Sequence, residues 1–465
     1  MEEAMQKWYG TQTALARENF KLKGKQTNPG LIFAMVTVKK AVAQTYQKLL
    51  PEKKELYLAM EYACDQILSC EKEYEDGTEL SELMIGNVPF TEIFVTEALQ
   101  GGAGTSAHMN VNEVLAALTQ ERMQKVQAGC GKEAHSGQEP EGQDRVSVHP
   151  LDDINRGQST NDVYPTALRI AAIRELRRLS EACADLQTAL QEKENEFDRI
   201  AKLGRTELMD AVPITLGEEF GAYAQAIARD RWRLYKVEER LRQTNLGGTA
   251  VGGGDNTSHR YQALVMEYLR DITGMGLARA EYPMDMTQNQ DVFVEVSGLL
   301  KALAVNLMKI ANDLRLMNSG PKGGFGELSL PKVQAGSTIM PGKVNPVMAE
   351  MVMQVSMRVM ANDTAVSMAA AHGEFELNAF LPLIADSLLE SLQLLTNGVI
   401  LFRQKCVEGI AANEKQCGKL LEQSCAFATE YTGKLGYDRV SQIIRESDGD
   451  PGKVRKVLEE AMAEK

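Results

Sequence analysis

The densest mixture of functional groups in the chain is Gly336-Ser337-Thr338-Ile339-Met340-Pro341-Gly342-Lys343-Val344-Asn345-Pro346. Two hydroxyls, a fixed cation and an amide stand among Gly and Pro, so the segment can bend around an anion that Lys343 attracts and Asn345 orients. A second segment, Gly101-Gly102-Ala103-Gly104-Thr105-Ser106, offers small residues that let backbone donors come close to a carboxylate, with hydroxyls beside them. It also matches a dinucleotide-binding pattern at Gly102, Gly104 and Ala107. That fingerprint needs a strand before it and a parallel strand after its helix, and the sequence that follows runs into a polar stretch and then helices. A phosphate-binding P-loop is ruled out because no Lys-Ser/Thr pair closes the loop. The third segment is Gln158-Ser159-Thr160-Asn161-Asp162, placed just before a long helical pattern. One of these residues suffices as a helix cap. Four small polar residues exceed that need, and the free N–H groups of a helix start suit a bound carboxylate.

These loops need a rigid frame, and the sequence supplies long helices. From Pro165 onward apolar residues recur every three or four positions, as in Ile170, Ile173, Leu176, Leu179, Cys183, Leu186 and Leu190. The spacing returns from Phe220 to Leu241 and from Val292 to Leu314. Two further runs, Val347 to about Ala371 and Leu383 to about Val407, are apolar around more of their circumference, as in helices buried on several sides. Strand-like alternation is scarce and Gly and Pro gather between the helical runs, so the predicted class is mainly α. The expected divisions are a shorter-helix N-terminal domain over 1–155, a central long-helix bundle over 156–410 carrying the 336–346 loop, and a small helical C-terminal domain over 411–465. Residues 128–145 lack apolar periodicity and read as an exposed loop.

The 465 residues are 44% hydrophobic and 25% charged, ordinary globular material that excludes disorder and fibrous repeats. A formal charge of -13 repels nucleic-acid backbones and anionic lipid, so neither is an expected partner. Local cations can still hold a small acid. The seven cysteines form no CxxC pair and no secretory leader is evident, which predicts reduced thiols in the cytoplasm. The five histidines are dispersed without the HExxH spacing, so no catalytic metal is expected.

Taken together, these segments resemble the aspartase/fumarase superfamily over nearly the whole chain. GSTIMPGKVNP is similar to the family's signature loop. The supporting stretches are Tyr9-Gly10 with Gln12-Thr13, Gly101 to Asn112, Gln158 to Pro165, Gly204-Arg205-Thr206, Asn245 to Gly252, Asn312 to Gly320 and Glu376-Leu377-Asn378. The resemblance implies three domains, a central bundle of five long helices, and a homotetramer whose active sites each draw on three subunits. Within the family, Gly101 to Ser106 and Gln158 to Asn161 lean toward members that eliminate ammonia from L-aspartate to give fumarate, with no cofactor required. The alternatives are hydration of fumarate, elimination from another amino-substituted succinate, and a non-catalytic structural relative.

By the same resemblance Ser337 is the base, acting as an alkoxide on a loop that closes over substrate. Thr105, Ser159, Thr160 and Thr338 match the clamp for the β-carboxylate, where charge builds up in an enediolate-like intermediate. Lys343 and Asn345 match the holders of the α-carboxylate, and Asn161 with Thr206 match contacts to the amine. This chain departs from the family pattern in three places. Thr338 replaces a second Ser, His108 replaces an Asn, and Glu207 stands where the family usually has His or Gln near the α-carboxylate. Glu350 matches a family acid near that last position, so the expectation is that Glu207 and Glu350 share a proton.

Overall fold

Helix α1 (Pro29–Leu49) begins with Pro at its first position and with Asn28, whose Oδ1 accepts the N–H of Gly30 at 2.9 Å. Its apolar residues are buried on all sides, and α2 (Lys54–Glu75) and α3 (Thr105–Cys130) pack beside it. In this computed structural model, which describes residues 8–130 and 147–463, the chain is mainly α. The N-terminal part carries helices of 21, 22 and 26 residues. Residues 128–130 end α3, and the rest of the polar 128–145 stretch lies outside the described residues.

The five long helical patterns correspond to α4 (Thr160–Glu196), α5 (Leu216–Leu241), α6 (Asp291–Met317), α7 (Val347–Ala370) and α8 (Leu381–Lys405). Helix α4 starts at Thr160, inside the polar segment expected to precede it. Proline has no N–H to give to the carbonyl four residues back, which here belongs to Asn161. Asn245 Nδ2 donates to that carbonyl instead, at 2.9 Å, so the helix runs through the proline.

By its contacts the chain forms two compact units, and each of α4 to α8 passes from one to the other. The first comprises Met1–Arg177, Leu234–Leu300 and Met360–Gln393. At its core Tyr46 stacks on both Tyr57 and Tyr261 with ring centroids 5.2 Å apart. The second comprises Arg178–Arg233, Lys301–Val359 and Leu394–Lys465. It holds the edge-to-face rings of Phe197, Phe220 and Tyr223, and a separate small cluster of Ala428, Val440, Ile443, Val454 and Leu458 among the C-terminal helices.

Among the elements that sequence periodicity does not reveal is a hairpin. Strands β1 (Ala201–Thr206) and β2 (Met209–Thr215) form an antiparallel hairpin. Its alternation is broken by a register shift between Leu203 and Arg205, at Gly204, where a Cβ would stand 2.8 Å from the Val212 carbonyl oxygen.

Candidate active site

The first unit holds Thr105, Ser159, Thr160 and Asn161. Gly102, Ala103 and Gly104 all take positive φ and lead directly into α3. Gly104 allows close approach to α4, because a Cβ there would overlap the Tyr164 ring, 2.9 Å from its Cγ. At the start of α3, Gln100 Oε1 accepts the Ala107 N–H at 2.9 Å. Thr105 Oγ1 donates to the Gly102 carbonyl at 2.6 Å, so it must rotate before it can donate to a ligand.

Asp162 ties the second polar segment to the 245–252 loop. Its Oδ1 accepts the Ser159 N–H, and its Oδ2 accepts those of Gly247 and Thr249, each at 3.0 Å. Burial pushes the carboxyl up to about 6, against the opposing pull of these N–H groups and of Lys39. Thr160, Asn161 and Asp162 belong to the first turn of α4 rather than to a loop ahead of it. Ser159 Oγ accepts the Asn161 N–H at 3.2 Å, and Asn161 Nδ2 donates to the Ala250 carbonyl at 2.8 Å. With its nitrogen so engaged, Asn161 has Oδ1 left as an acceptor.

Beneath this turn lies a buried layer of Lys39 and His108. Lys39 Nζ donates to Asn155 Oδ1 and Gln158 Oε1, each at 2.9 Å, and burial lowers its pKa well below the usual lysine range. His108 Nδ1 lies 2.9 Å from Thr160 Oγ1. The layer's signal in the sequence was a lysine inside the apolar run of α1, which a solvent-facing helix stripe would not place there. Glu113, further along α3, accepts the N–H groups of Gly10, Gln12 and Thr13 at 2.8, 3.0 and 3.1 Å. The Tyr9-Gly10 motif is thus anchored by a carboxylate about a hundred residues away.

The second unit holds Thr206, Glu207, Ser337, Thr338, Lys343, Asn345 and Glu350. Arg205, next to Thr206, donates to both oxygens of the fully buried Glu327 at 2.9 and 3.1 Å, and Lys202 reaches the same carboxylate at 3.2 Å. These bonds anchor the hairpin. Its two-residue turn places Glu207 and Leu208 at φ values of 54° and 64°, where Asn and Gly are the favoured occupants. Each costs about 1–2 kcal/mol of backbone strain. Glu350 lies 3.7 Å from Arg315, and no hydrogen bond or ion pair engages Glu207 among the described residues. Within the chain, then, it is an arginine that faces Glu350.

In the 336–346 segment, Asn345 Nδ2 donates to the Gly336 carbonyl at 2.7 Å and closes the neck of the loop. Gly336 has no room for a side chain, since a Cβ would stand 2.6 Å from Val344 Cα and overlap the Lys343 carbonyl oxygen. Above this neck Ser337 Oγ accepts two backbone N–H groups, from Ile339 at 3.2 Å and Met340 at 3.0 Å. Thr338 and Lys343 are exposed, and Ile339 is 81% exposed at the rim.

A family model described as a lyase matches residues 1–361. The aspartate ammonia-lyase of Bacillus subtilis (strain 168) is 38% identical over 440 residues, covering 95% of this chain and 86% of the relative. The chain belongs to the aspartase/fumarase superfamily of lyases. Among solved lyase structures it is similar to the fumarate lyase:delta crystallin of Brucella melitensis bound to cobalt, at 40% identity and a TM-score of 0.85. That match covers 97% of this chain and 92% of the other. The class II fumarase of Schistosoma mansoni gives the same TM-score and coverage at 28% identity. As a lyase of this superfamily, the chain carries in Thr105 to Asn161 and in Thr206 to Asn345 the donors that the sequence singled out, four in the first unit and the remainder in the second.

Proposed function

We propose that this lyase removes ammonia from L-aspartate to form fumarate, with Ser337 as the base. Relatives named aspartate ammonia-lyase at 38–39% identity over nearly the full length support the substrate. The observation that carries the mechanism is the pair of backbone N–H groups on Ser337 Oγ. Hydrogen bonds to the oxygen favour its charged form, so they stabilise the alkoxide that a serine base requires.

Ser337 takes a proton from the carbon next to the β-carboxylate, and the electron pair spreads onto that carboxylate. Thr105, Ser159, Thr160 and Thr338 receive the growing charge as neutral donors, Thr105 after leaving Gly102. Lys343 and the second N–H of Asn345 hold the α-carboxylate. Asn161 Oδ1 and Thr206 accept from the ammonium group. The C–N bond then breaks, the C=C bond forms, and ammonia leaves with its three protons, so no strong general acid is required. No electrons are exchanged with a carrier, and the step needs no redox cofactor.

The assembly we propose is a homotetramer with each site completed by three subunits. Apolar side chains left exposed on the long helices support it, including Val305 at 50%, Met357 at 54% and Met368 at 60%. No described helix is long and apolar enough to cross a membrane. The free cysteines Cys64, Cys70, Cys183, Cys406, Cys417 and Cys425 support a reducing, cytoplasmic setting.

The test is the absorbance of the fumarate double bond after mixing the pure protein separately with L-aspartate and L-malate. Signal from L-aspartate alone is expected. Signal from L-malate alone would reassign the enzyme as a hydratase.

A further inference from the structure

His108 stands in the first turn of α3 and is only 1% exposed. Its Nδ1 is 2.9 Å from Thr160 Oγ1, while its Nε2 is sealed from solvent with no hydrogen-bond partner. Burial, with Lys39 close by, holds the imidazole well below its usual pKa, so the ring is neutral and carries a single N–H. Two placements of that proton have opposite consequences for Thr160.

With the proton on Nε2, a buried N–H would face no acceptor, and Nδ1 could only accept. Thr160 would then spend its hydroxyl proton on the imidazole and present lone pairs alone. With the proton on Nδ1, the orphan is an acceptor, which folded proteins tolerate more readily than an orphan donor. Thr160 Oγ1 then accepts from His108, and its own proton is free to point elsewhere.

We propose that His108 is a positioning residue, fixed as the Nδ1–H tautomer, that donates to Thr160 and thereby commits the Thr160 hydroxyl proton to the substrate carboxylate. The proposal deepens the reading of Thr160 as part of the β-carboxylate clamp and rests on it for the ligand. It also gives this chain's histidine a use at a position that needs only a short donor. The asparagine amide nitrogen can occupy nearly the place of Nδ1, so His108→Asn preserves the donation, whereas His108→Leu removes it at similar volume.

Solid-state 15N NMR of the full-length protein labelled at histidine reads the tautomer directly, with His108 assigned by the signal missing in His108→Asn. A proton on Nδ1 is expected, and a proton on Nε2 overturns the proposal. This arm needs no turnover, so it decides the orientation even if L-aspartate yields no fumarate, a result that would count against the proposed activity alone. In the kinetic arm, His108→Leu lowers kcat by about 10- to 100-fold with a smaller change in KM, because the hydroxyl serves charge that develops in the transition state. His108→Asn stays within about threefold of the wild type. In a Thr160→Val background His108→Leu has no further effect on kcat. Independent, multiplying losses from the two substitutions, or an asparagine variant as slow as the leucine one, would show that His108 does not act through Thr160.

Discussion

Gly336→Ala separates the shape of the serine loop from the stability of the fold. The added Cβ would stand 2.6 Å from Val344 Cα, where apolar carbon contacts settle at about 3.5–4.0 Å. It would also overlap the Lys343 carbonyl, so the two sides of the neck must part by about 1 Å. Parting them strains the 2.7 Å bond from Asn345 to the Gly336 carbonyl and displaces Ser337, the next residue. A shift of that size at a reacting group costs on the order of 10²-fold in rate. Thr338 to Lys343 are all exposed, so the same substitution should cost less than about 1 kcal/mol of global stability. Initial rates of fumarate formation from L-aspartate and thermal unfolding, measured on the same preparations, give the two quantities. A rate within threefold of the wild type would refute the argument that the closed neck sets the position of Ser337. Gly342→Ala provides the contrast, because a Cβ there meets nothing within 4 Å but the residue has φ +80°. Its effect is strain local to the loop tip, so its loss of rate should be smaller than that of Gly336→Ala.

Three further outcomes follow from individual groups. Glu327→Ala leaves Lys202 and Arg205 facing an empty buried site, and urea unfolding should show a loss of about 3–5 kcal/mol. Asp162 has a folded-state pKa raised to about 6 from 3.8, so its share of stability is full below pH 4 and is lost as pH rises through about 6. Asp162→Asn does not titrate, and its stability relative to wild type should therefore rise by about 1.4 kcal/mol between pH 5 and pH 7.5 in urea unfolding. Glu207→Gln removes a carboxylate placed by resemblance beside the substrate's α-carboxylate, so steady-state kinetics should show kcat retained and KM for L-aspartate lowered by up to about tenfold.

The helices were legible because their apolar spacing is long and uninterrupted. Val347 marks the start of α7 in both sequence and structure, and its end was read within a residue of Ala370. That α4 already includes the end of its polar segment was less legible, because proline is a local signal, while its tolerance at 165 depends on a distant asparagine side chain. The hairpin around Thr206 was missed for a related reason: its strands are short, Gly204 and Arg205 interrupt their alternation, and a buried ion cluster holds them. Residues of the candidate site could be picked out one by one, since Ser, Thr, Asn and Lys concentrate in three short segments. Their orientation could not. That Ser337 accepts two N–H groups depends on how its loop turns locally, and that Asn161 spends its nitrogen on Ala250 and His108 meets Thr160 are facts of tertiary geometry between residues far apart in sequence.

The central claim is that Ser337 removes the proton, and Ser337→Ala tests it most directly. With L-aspartate as substrate, kcat should fall by about 10³-fold or more while the thermal midpoint stays at the wild-type value, because the residue lies in a loop whose rim is open to solvent. An alanine variant that keeps more than about a tenth of the wild-type rate would show that another group is the base, and the account built on the Ser337 alkoxide would be wrong.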